Sequence, residues 1–353
     1  MDRQTLERWL REAVDKQASD VHVTVGIPPH VRIDGQLFPL PYPALTADDC
    51  MQLARDLLDE PAWQVFTENG EYDGAYSVPG LSRFRLNVFR QRGTVTLAIR
   101  VIPFHIPSLD ELGLPAVTRE LLRRSQGLFL VTGPAGSGKS TTLAAMVDEI
   151  NRTMAKHIIT LEDPIEYLHP HRRSIVVQRE VGMDTKTFAS GLRSALREDP
   201  DVIMVGEMRD VDTMSTALTA AETGHLVLAT LHTPDAAQAI ERMINVFPPQ
   251  QQTQIRFQVA SVLVAVYAQR LLPRREGTGR VAAIEILVNT PAVAYLIRDE
   301  KVHHLHTVMQ TGAQYGMRTM EQDLDRLLAA GVIRREDGEA LKMEWRKLTT
   351  WKS

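Results

Sequence analysis

The first hundred residues combine helically spaced apolar positions with short β-branched stretches. Apolar residues that recur every three to four positions indicate amphipathic helices, and alternating β-branched stretches indicate strands. Asp34-Gly35 is a dipeptide typical of hairpin turns. The predicted helices are residues 2–17 and 46–68, and the predicted strands are residues 20–25, residues 31–33 and several segments within 71–101. This pattern favours a small α+β unit.

A proline-rich stretch follows this unit. Pro103, Pro107 and Pro115 crowd a short segment, and proline fits neither a helix interior nor a sheet interior. We therefore expect a linker over residues 103–115, a first domain over residues 1–102 and a second domain over residues 116–353.

The hydrophobic pattern changes after the linker. Near-continuous apolar runs are separated by helical sequence, which predicts an α/β domain with a parallel sheet covered on both faces. The predicted strands are residues 127–132, 157–161, 201–205 and 226–231. Further helices are predicted at residues 139–152, 250–272, 290–298 and 318–330.

Composition limits the possible functions. Apolar residues make up 44% of the 353 residues, which excludes a disordered chain. The formal net charge of −4 gives no whole-molecule attraction to nucleic acid. A single cysteine, Cys50, excludes an internal disulfide and a multi-cysteine zinc site. No apolar stretch approaches the roughly 20 residues of a membrane span, so we expect a cytoplasmic protein.

The strongest motif is a phosphate-binding loop. Gly133-Pro134-Ala135-Gly136-Ser137-Gly138-Lys139-Ser140 matches G-x-x-x-x-G-K-[ST] between a predicted strand and a predicted helix. The glycines let successive backbone N–H groups face an anion, and the helix adds its positive dipole end. Lys139 is expected to reach the β- and γ-phosphates of a nucleotide, and Ser140 to ligate Mg²⁺.

Carboxylates close two of the predicted strands. Glu207 follows the strand at 201–205 in a variant Walker B motif, where it can order Mg²⁺ through water or the attacking water. Glu162, Asp163 and Glu166 form an acidic cluster after the strand at 157–161, which can act as a general base. Spacing alone leaves open whether Glu162 or Glu207 is the base.

Histidines and arginines give weaker signals. His225 and His232 stand at opposite ends of one strand, roughly 23 Å apart at 3.3 Å per residue, so they cannot share a metal. His232 lies at the carboxyl end and is the better candidate for approaching the γ-phosphate, while His225 fits a structural role. Residues 83–92 hold four arginines, whose spacing is compatible with a solvated strand face or with arginine fingers.

Taken together, these motifs resemble the ATPases that power type II secretion, type IV secretion and type IV pili, and they are most similar to pilus retraction ATPases. The most specific stretches are ASDVHVTVGIPPHVRIDG, SRFRLNVFRQRG, GPAGSGKSTT, TLEDPIEYLH and TGHLVLATLHT. The resemblance implies a PAS-like N-terminal domain and a RecA-like ATPase domain with additional C-terminal helices. It also implies a hexamer that binds ATP and Mg²⁺ and turns a pilus platform protein at the inner membrane, with a second retraction ATPase as an optional partner.

Residue roles carry over motif by motif. The resemblance assigns Glu207 as catalytic glutamate, with Glu162 and His232 also in the catalytic set, and Arg85 and Arg100 as arginine fingers. The remaining residues that the resemblance assigns to nucleotide binding are Thr141, next to the phosphate-binding loop, Asp163 and Glu166 in the Asp box, and His225 in the His box.

One segment departs from the retraction family. The family carries AIREGK, whereas this chain has Leu296-Ile297-Arg298-Asp299-Glu300-Lys301. The alternatives are therefore an extension or type II secretion assembly ATPase, a RecA-type nucleic-acid translocase, and a module that binds nucleotide without hydrolysis. The single cysteine and the short N-terminal region argue against an assembly ATPase, which normally carries a four-cysteine zinc insertion and an extra N-terminal domain.

Overall fold

A computed structural model describes residues 3–33, 35–102, 105–276 and 279–350. The chain divides into two compact units between His105 and Ile106, with Glu166–Leu168 grouped with the first unit. This division falls inside the predicted linker, of which Pro103 and Phe104 lie outside the described residues, as does Asp34 of the predicted hairpin turn.

The first unit is a six-stranded antiparallel sheet with three helices, in strand order β3-β2-β1-β6-β5-β4. Its helices are α1 (Arg3–Asp15), α2 (Ala47–Leu57) and α3 (Glu60–Asn69). Its strands are β1 (Asp20–Val23), β2 (His30–Ile33), β3 (Gln36–Pro39), β4 (Glu71–Val78), β5 (Ser82–Gln91) and β6 (Thr94–Val101).

Side-chain patterns explain these elements. Helix α1 buries Leu6, Trp9, Leu10 and Ala13 along one stripe, as its spacing predicts. The region expected as one helix over 46–68 is two helices. The break has a local cause, because Asp59 accepts a hydrogen bond from the Ala62 amide and so caps a new helix.

The second unit contains a seven-stranded sheet in the order β13-β12-β7-β11-β10-β8-β9. Its strands are β7 (Gly127–Thr132), β8 (His157–Glu162), β9 (Ile175–Glu180), β10 (Val202–Val205), β11 (Leu226–Leu231), β12 (Leu263–Pro273) and β13 (Arg280–Val288). All neighbouring pairs are parallel except β12 and β13. The predicted α/β class is confirmed.

Helices cover this sheet on both sides. They are α4 (Val117–Leu121), α5 (Lys139–Thr153), α6 (Phe188–Ala195), α7 (Val211–Glu222), α8 (Ala236–Asn245), α9 (Pro249–Val262), α10 (Pro291–Arg298), α11 (Leu305–Thr311), α12 (Met320–Ala329) and α13 (Arg335–Thr350). Within the described ranges, none of the helices has the length and apolar character needed to cross a bilayer.

One predicted helix is wrong in its second half. Residues 250–272 were expected to be helical throughout, but α9 ends at Val262 and residues 263–273 form β12. The run from Leu263 to Ala268 lies in the interior of the sheet, between β7 and β13, and its side chains are buried at every position, on both faces of the sheet. A strand buried on both faces has no alternating pattern, so periodicity could not distinguish it from a buried helix.

Candidate nucleotide-binding site

The phosphate-binding loop connects β7 to α5. Gly138 precedes the helix in a left-handed conformation, with φ +89°, and Lys139 is the first helical residue. The Thr132 hydroxyl, at the end of β7, lies 2.6 Å from the Thr233 carbonyl oxygen and so ties the loop to the segment after β11. The loop therefore sits at the carboxyl edge of the parallel sheet, where ligands bind in such folds.

Lys139 is nearly buried in this loop. Its Nζ donates to the carbonyl oxygens of Gly133 and Pro134, each at 2.9 Å, and lies 3.5 Å from His232 Nδ1. Burial lowers the pKa of Lys139, the charge of Arg270 lowers it further, and the charge of Glu207 opposes both. A desolvated ammonium surrounded mainly by neutral acceptors is well placed to bind phosphate oxygens.

The loop also contains a buried hydroxyl without a partner. The Ser137 side chain is 3% exposed, and its Oγ has no hydrogen-bond partner within the described part of the chain. Buried polar atoms of folded proteins are usually hydrogen-bonded. Together with the N-terminus of α5, this free hydroxyl fits an anion in the loop.

Glu207 lies just beyond β10 and contacts His232. Its Oε1 is 3.0 Å from His232 Nε2 and also accepts a hydrogen bond from Arg209. Burial alone would raise the pKa of Glu207, but the hydrogen bonds and charges of Arg209 and His232 outweigh it and hold the pKa below its usual value. Glu207 is therefore a carboxylate at neutral pH. The two ring nitrogens of His232 face different residues, Nε2 toward Glu207 and Nδ1 toward Lys139, so the ring bridges the carboxylate and the lysine.

The neighbouring strand β8 ends in Glu162, which has a different environment. Its side chain is 6% exposed and accepts hydrogen bonds from Thr160 at 2.6 Å and Gln178 at 3.0 Å. Asp163 is exposed, and its charge helps to raise the pKa of Arg209. Glu207 and Asp163 therefore both interact with Arg209, while Glu162 is fixed by its own strand and by β9.

One of the predicted residues is not brought to this cluster within the chain. His225 lies at the opposite end of β11 from His232, where its Nδ1 is 3.0 Å from the Ala220 carbonyl oxygen. The exposed Glu166 belongs to the short segment grouped with the first unit.

The two candidate finger arginines lie side by side in the first unit. Arg85 on β5 pairs directly with Arg100 on β6, and both side chains are exposed. Arg100 forms an ion pair with Asp20 at 2.9 Å. Like charges directly opposite in a sheet repel each other, so this pair suits binding of an anion.

A cavity of about 270 Å³ opens beside the loop. Gly138 and Thr141 contribute the edge next to the phosphate-binding loop, and Leu112 and Leu114 come from the predicted linker. Its size is near the ~300 Å³ lower limit of small-molecule pockets. Leu271, Arg274 and Arg280 also line this cavity. Sequence reasoning missed these residues because none of them belongs to a recognisable motif.

Ser140 is the residue that can hold Mg²⁺ directly. It is exposed in the first turn of α5, next to Lys139. The described residues contain no group of three or more His, Cys, Asp or Glu side chains able to hold a metal by themselves. A Mg²⁺ ion bound by one hydroxyl would take its other ligands from phosphate oxygens and water.

Known proteins match this chain along most of its length. The family described as Type II/IV secretion system protein matches residues 82–278. The Escherichia coli K12 protein named YggR, described as uncharacterized, is 48% identical over 92% of this chain and 99% of its own length. The Pseudomonas aeruginosa PAO1 protein named PilT, a type IV pilus retraction ATPase, is 46% identical over 91% of this chain and 93% of its own.

A solved structure is also similar to this chain along most of its length. A crystal structure of the pilus retraction motor PilT with bound ADP superposes with a TM-score of 0.88, at 49% identity, and covers 96% of each chain. These matches confirm the predicted resemblance. The chain is a member of the type II/IV secretion system protein family.

Proposed function

We propose that this protein is an ATP-hydrolysing motor that powers the retraction of type IV pili. The observation that carries the proposal is the contact chain from Lys139 through His232 to Glu207 at the carboxyl edge of the sheet. It links a phosphate-binding lysine to an ionised carboxylate within one site. The similarity to PilT supports the retraction function.

The nucleotide is held by the loop residues 133–141. Backbone N–H groups and the Ser137 hydroxyl bind the phosphates, and Lys139 exchanges its carbonyl acceptors for phosphate oxygens. Ser140 and, through water, Glu207 would hold Mg²⁺, and the ion would supply positive charge beside the phosphates of the nucleotide. The cavity beside Thr141 accepts the nucleoside.

Glu207 orients the attacking water. The water oxygen bonds to the γ-phosphorus as the bond from that phosphorus to the bridging oxygen of ADP breaks. The proton of the water passes to the Glu207 carboxylate, and ADP and inorganic phosphate leave. His232 keeps Glu207 in place, while Glu162 stabilises the end of β8 and, with Asp163, the acidic edge.

The full site needs a second chain. We propose a homohexamer in which Arg85 and Arg100 approach the γ-phosphate as arginine fingers. In this assembly, His225 and Glu166 contact an adjacent subunit rather than the phosphate-binding loop of their own chain. ATP turnover reorients a PAS-like first domain (1–102) against the ATPase domain (116–353) about the linker (103–115). The ring works at the cytoplasmic face of the inner membrane, where it turns a platform protein.

The altered retraction segment keeps a special backbone conformation. Glu300 stands where the family has glycine and adopts φ +61°, a left-handed conformation that favours glycine. Its carboxylate pairs with Arg256 at 3.4 Å, and Asp299 pairs with Lys301. The segment thus adopts a glycine-type turn despite its different side chains, which favours retraction over the extension alternative.

Purified protein tests the chemistry. Phosphate release from ATP should be abolished in Lys139→Ala, which should also lose nucleotide binding. Glu207→Gln should bind ATP normally and turn over at least 100-fold more slowly. Glu336→Gln, an exposed glutamate on α13, is the matched control and should be unchanged. Normal turnover in Glu207→Gln would reject the assignment of this residue.

A deletion strain tests the biological role. Cells that lack this protein should keep surface pili but lose twitching, and wild-type protein should restore motility where Glu207→Gln does not. Loss of pili in the deletion strain would instead favour the extension motor.

A further inference from the structure

An arginine outside every motif lies at the edge of the phosphate-binding loop. Strand β12 runs parallel to β7 with Ala268 opposite Thr132, so Arg270 is level with the first loop residues. Its Nη1 donates to the Gln269 carbonyl oxygen at 3.4 Å. That oxygen also abuts Gly133, since a Cβ on Gly133 would lie 2.5 Å from it. The guanidinium and the loop therefore contact the same carbonyl.

The charge of Arg270 is poorly compensated. Burial lowers its pKa, and the charges of Glu344 and Asp235 only partly oppose this effect. Within the described residues, no carboxylate lies within 4.0 Å of the Arg270 guanidinium, the distance that defines an ion pair. A half-buried cation without a close anion is costly, and a phosphate group beside the loop would relieve that cost.

Trp345 fixes the position of this guanidinium. The Arg270 Cζ lies 5.4 Å from the centroid of the Trp345 ring, a cation–π contact. Trp345 belongs to α13, is 2% exposed and packs in a core cluster with Met320 and Leu324 of α12. The C-terminal helix therefore restrains the Arg270 guanidinium, whose charge is close enough to the loop to lower the pKa of Lys139.

We propose that Arg270 binds the terminal phosphate of the nucleotide from within the same chain, and that Trp345 of the C-terminal helix positions it. This inference rests on the proposed function, because it assigns a further phosphate-binding residue to the same site. Unlike Arg85 and Arg100, Arg270 needs no second subunit. It also gives α13 a direct contact with a residue that distinguishes ATP from ADP.

The test compares ligands with and without a γ-phosphate. AMP-PNP and ADP affinities are measured by calorimetry on the full chain with Mg²⁺. Arg270→Met keeps the length of the side chain and removes its charge, so it should bind AMP-PNP at least tenfold more weakly and ADP less than threefold more weakly. Arg270→Lys should fall between wild type and Arg270→Met. The matched control is Arg124→Met. Arg124 is exposed and precedes the first residue of β7, at the end of the strand away from the loop, so this variant should bind both ligands like wild type.

Tryptophan emission tests the positioning role. AMP-PNP should change the emission of wild type more than ADP does, and Trp345→Phe should lose that difference while it still folds. Equal losses of both affinities in Arg270→Met would mean that the residue only supports the loop, and unchanged affinities would mean no role at all; either result overturns the proposal. If wild type binds both ligands but does not hydrolyse ATP, the proposed function fails, and the affinity comparison still decides the role of Arg270.

Discussion

Gly133 allows the sharpest prediction about the loop. It adopts φ +146°, and an added Cβ would lie 2.5 Å from both the Gln269 carbonyl oxygen and Ser137 Oγ. The carbonyl belongs to β12 and cannot move without disturbing the sheet. In Gly133→Ala we expect a backbone strain of about 1–3 kcal/mol, and the clash adds about 1–3 kcal/mol. The displaced Ser137 hydroxyl should also weaken phosphate binding.

A second glycine allows the effect of backbone strain to be measured without that of a steric clash. Gly182 follows β9 with φ +90°, and its Cβ position is empty within 4 Å. Gly182→Ala should therefore show only the strain. Urea denaturation measures the free energy of unfolding of both variants, and calorimetry measures ADP binding. We expect Gly133→Ala to lose at least tenfold in ADP affinity and Gly182→Ala to bind normally. Normal ADP binding by Gly133→Ala, with no more destabilisation than Gly182→Ala, would refute this reasoning.

Three further predictions concern charged groups. Burial raises the pKa of Glu285 from 4.5 to about 7, so between these values the folded state retains a proton that the unfolded chain has lost. The free energy of unfolding should therefore fall by about 3 kcal/mol as the pH rises through this range. Urea titrations at pH 5 and pH 8 should show this fall in the wild type and not in Glu285→Gln. Arg209→Gln removes a hydrogen bond that lowers the pKa of Glu207, so the acid limb of the ATPase pH profile should move to higher pH. Asp323 is fully buried and paired with two arginines, so Asp323→Asn should cost about 3–5 kcal/mol, whereas Asn at the exposed Asp325, paired with a lysine, should cost under about 1 kcal/mol.

The parts of the site that depend on neighbouring residues were predicted from the sequence. The loop motif, β7 before it and α5 after it are all local, because glycine conformation and the helix start depend on adjacent residues. The choice of His232 over His225 needed only strand direction, and the structure brings His232 to Lys139 and Glu207. The role of either histidine in catalysis stays a prediction.

The parts that depend on distant segments were not predicted. Strand β12 has no periodic signal because both of its faces are buried, and so Arg270 could not be placed beside the loop. Leu112 and Leu114 lie in a proline-rich stretch that suggests only a linker, yet they line the cavity next to Thr141. Contacts of this kind arise from sheet order, which no motif encodes.

Sheet order also predicts that nucleotide binding and ATP hydrolysis depend on different residues of this site. The loop follows β7 and Glu207 follows β10, and β11 lies between these two strands. His232, at the end of β11, is therefore the only neighbour from the intervening strand that contacts both Lys139 and Glu207 among the described residues. A phosphate that draws Lys139 away from the Gly133 and Pro134 carbonyls changes one side of this histidine while Glu207 holds the other. In His232→Ala we thus expect nucleotide affinity to stay within about threefold of wild type, since the loop is intact, and turnover to fall 100-fold or more. A variant that lost affinity and turnover in equal measure would show that the two sides of the site are not connected through His232.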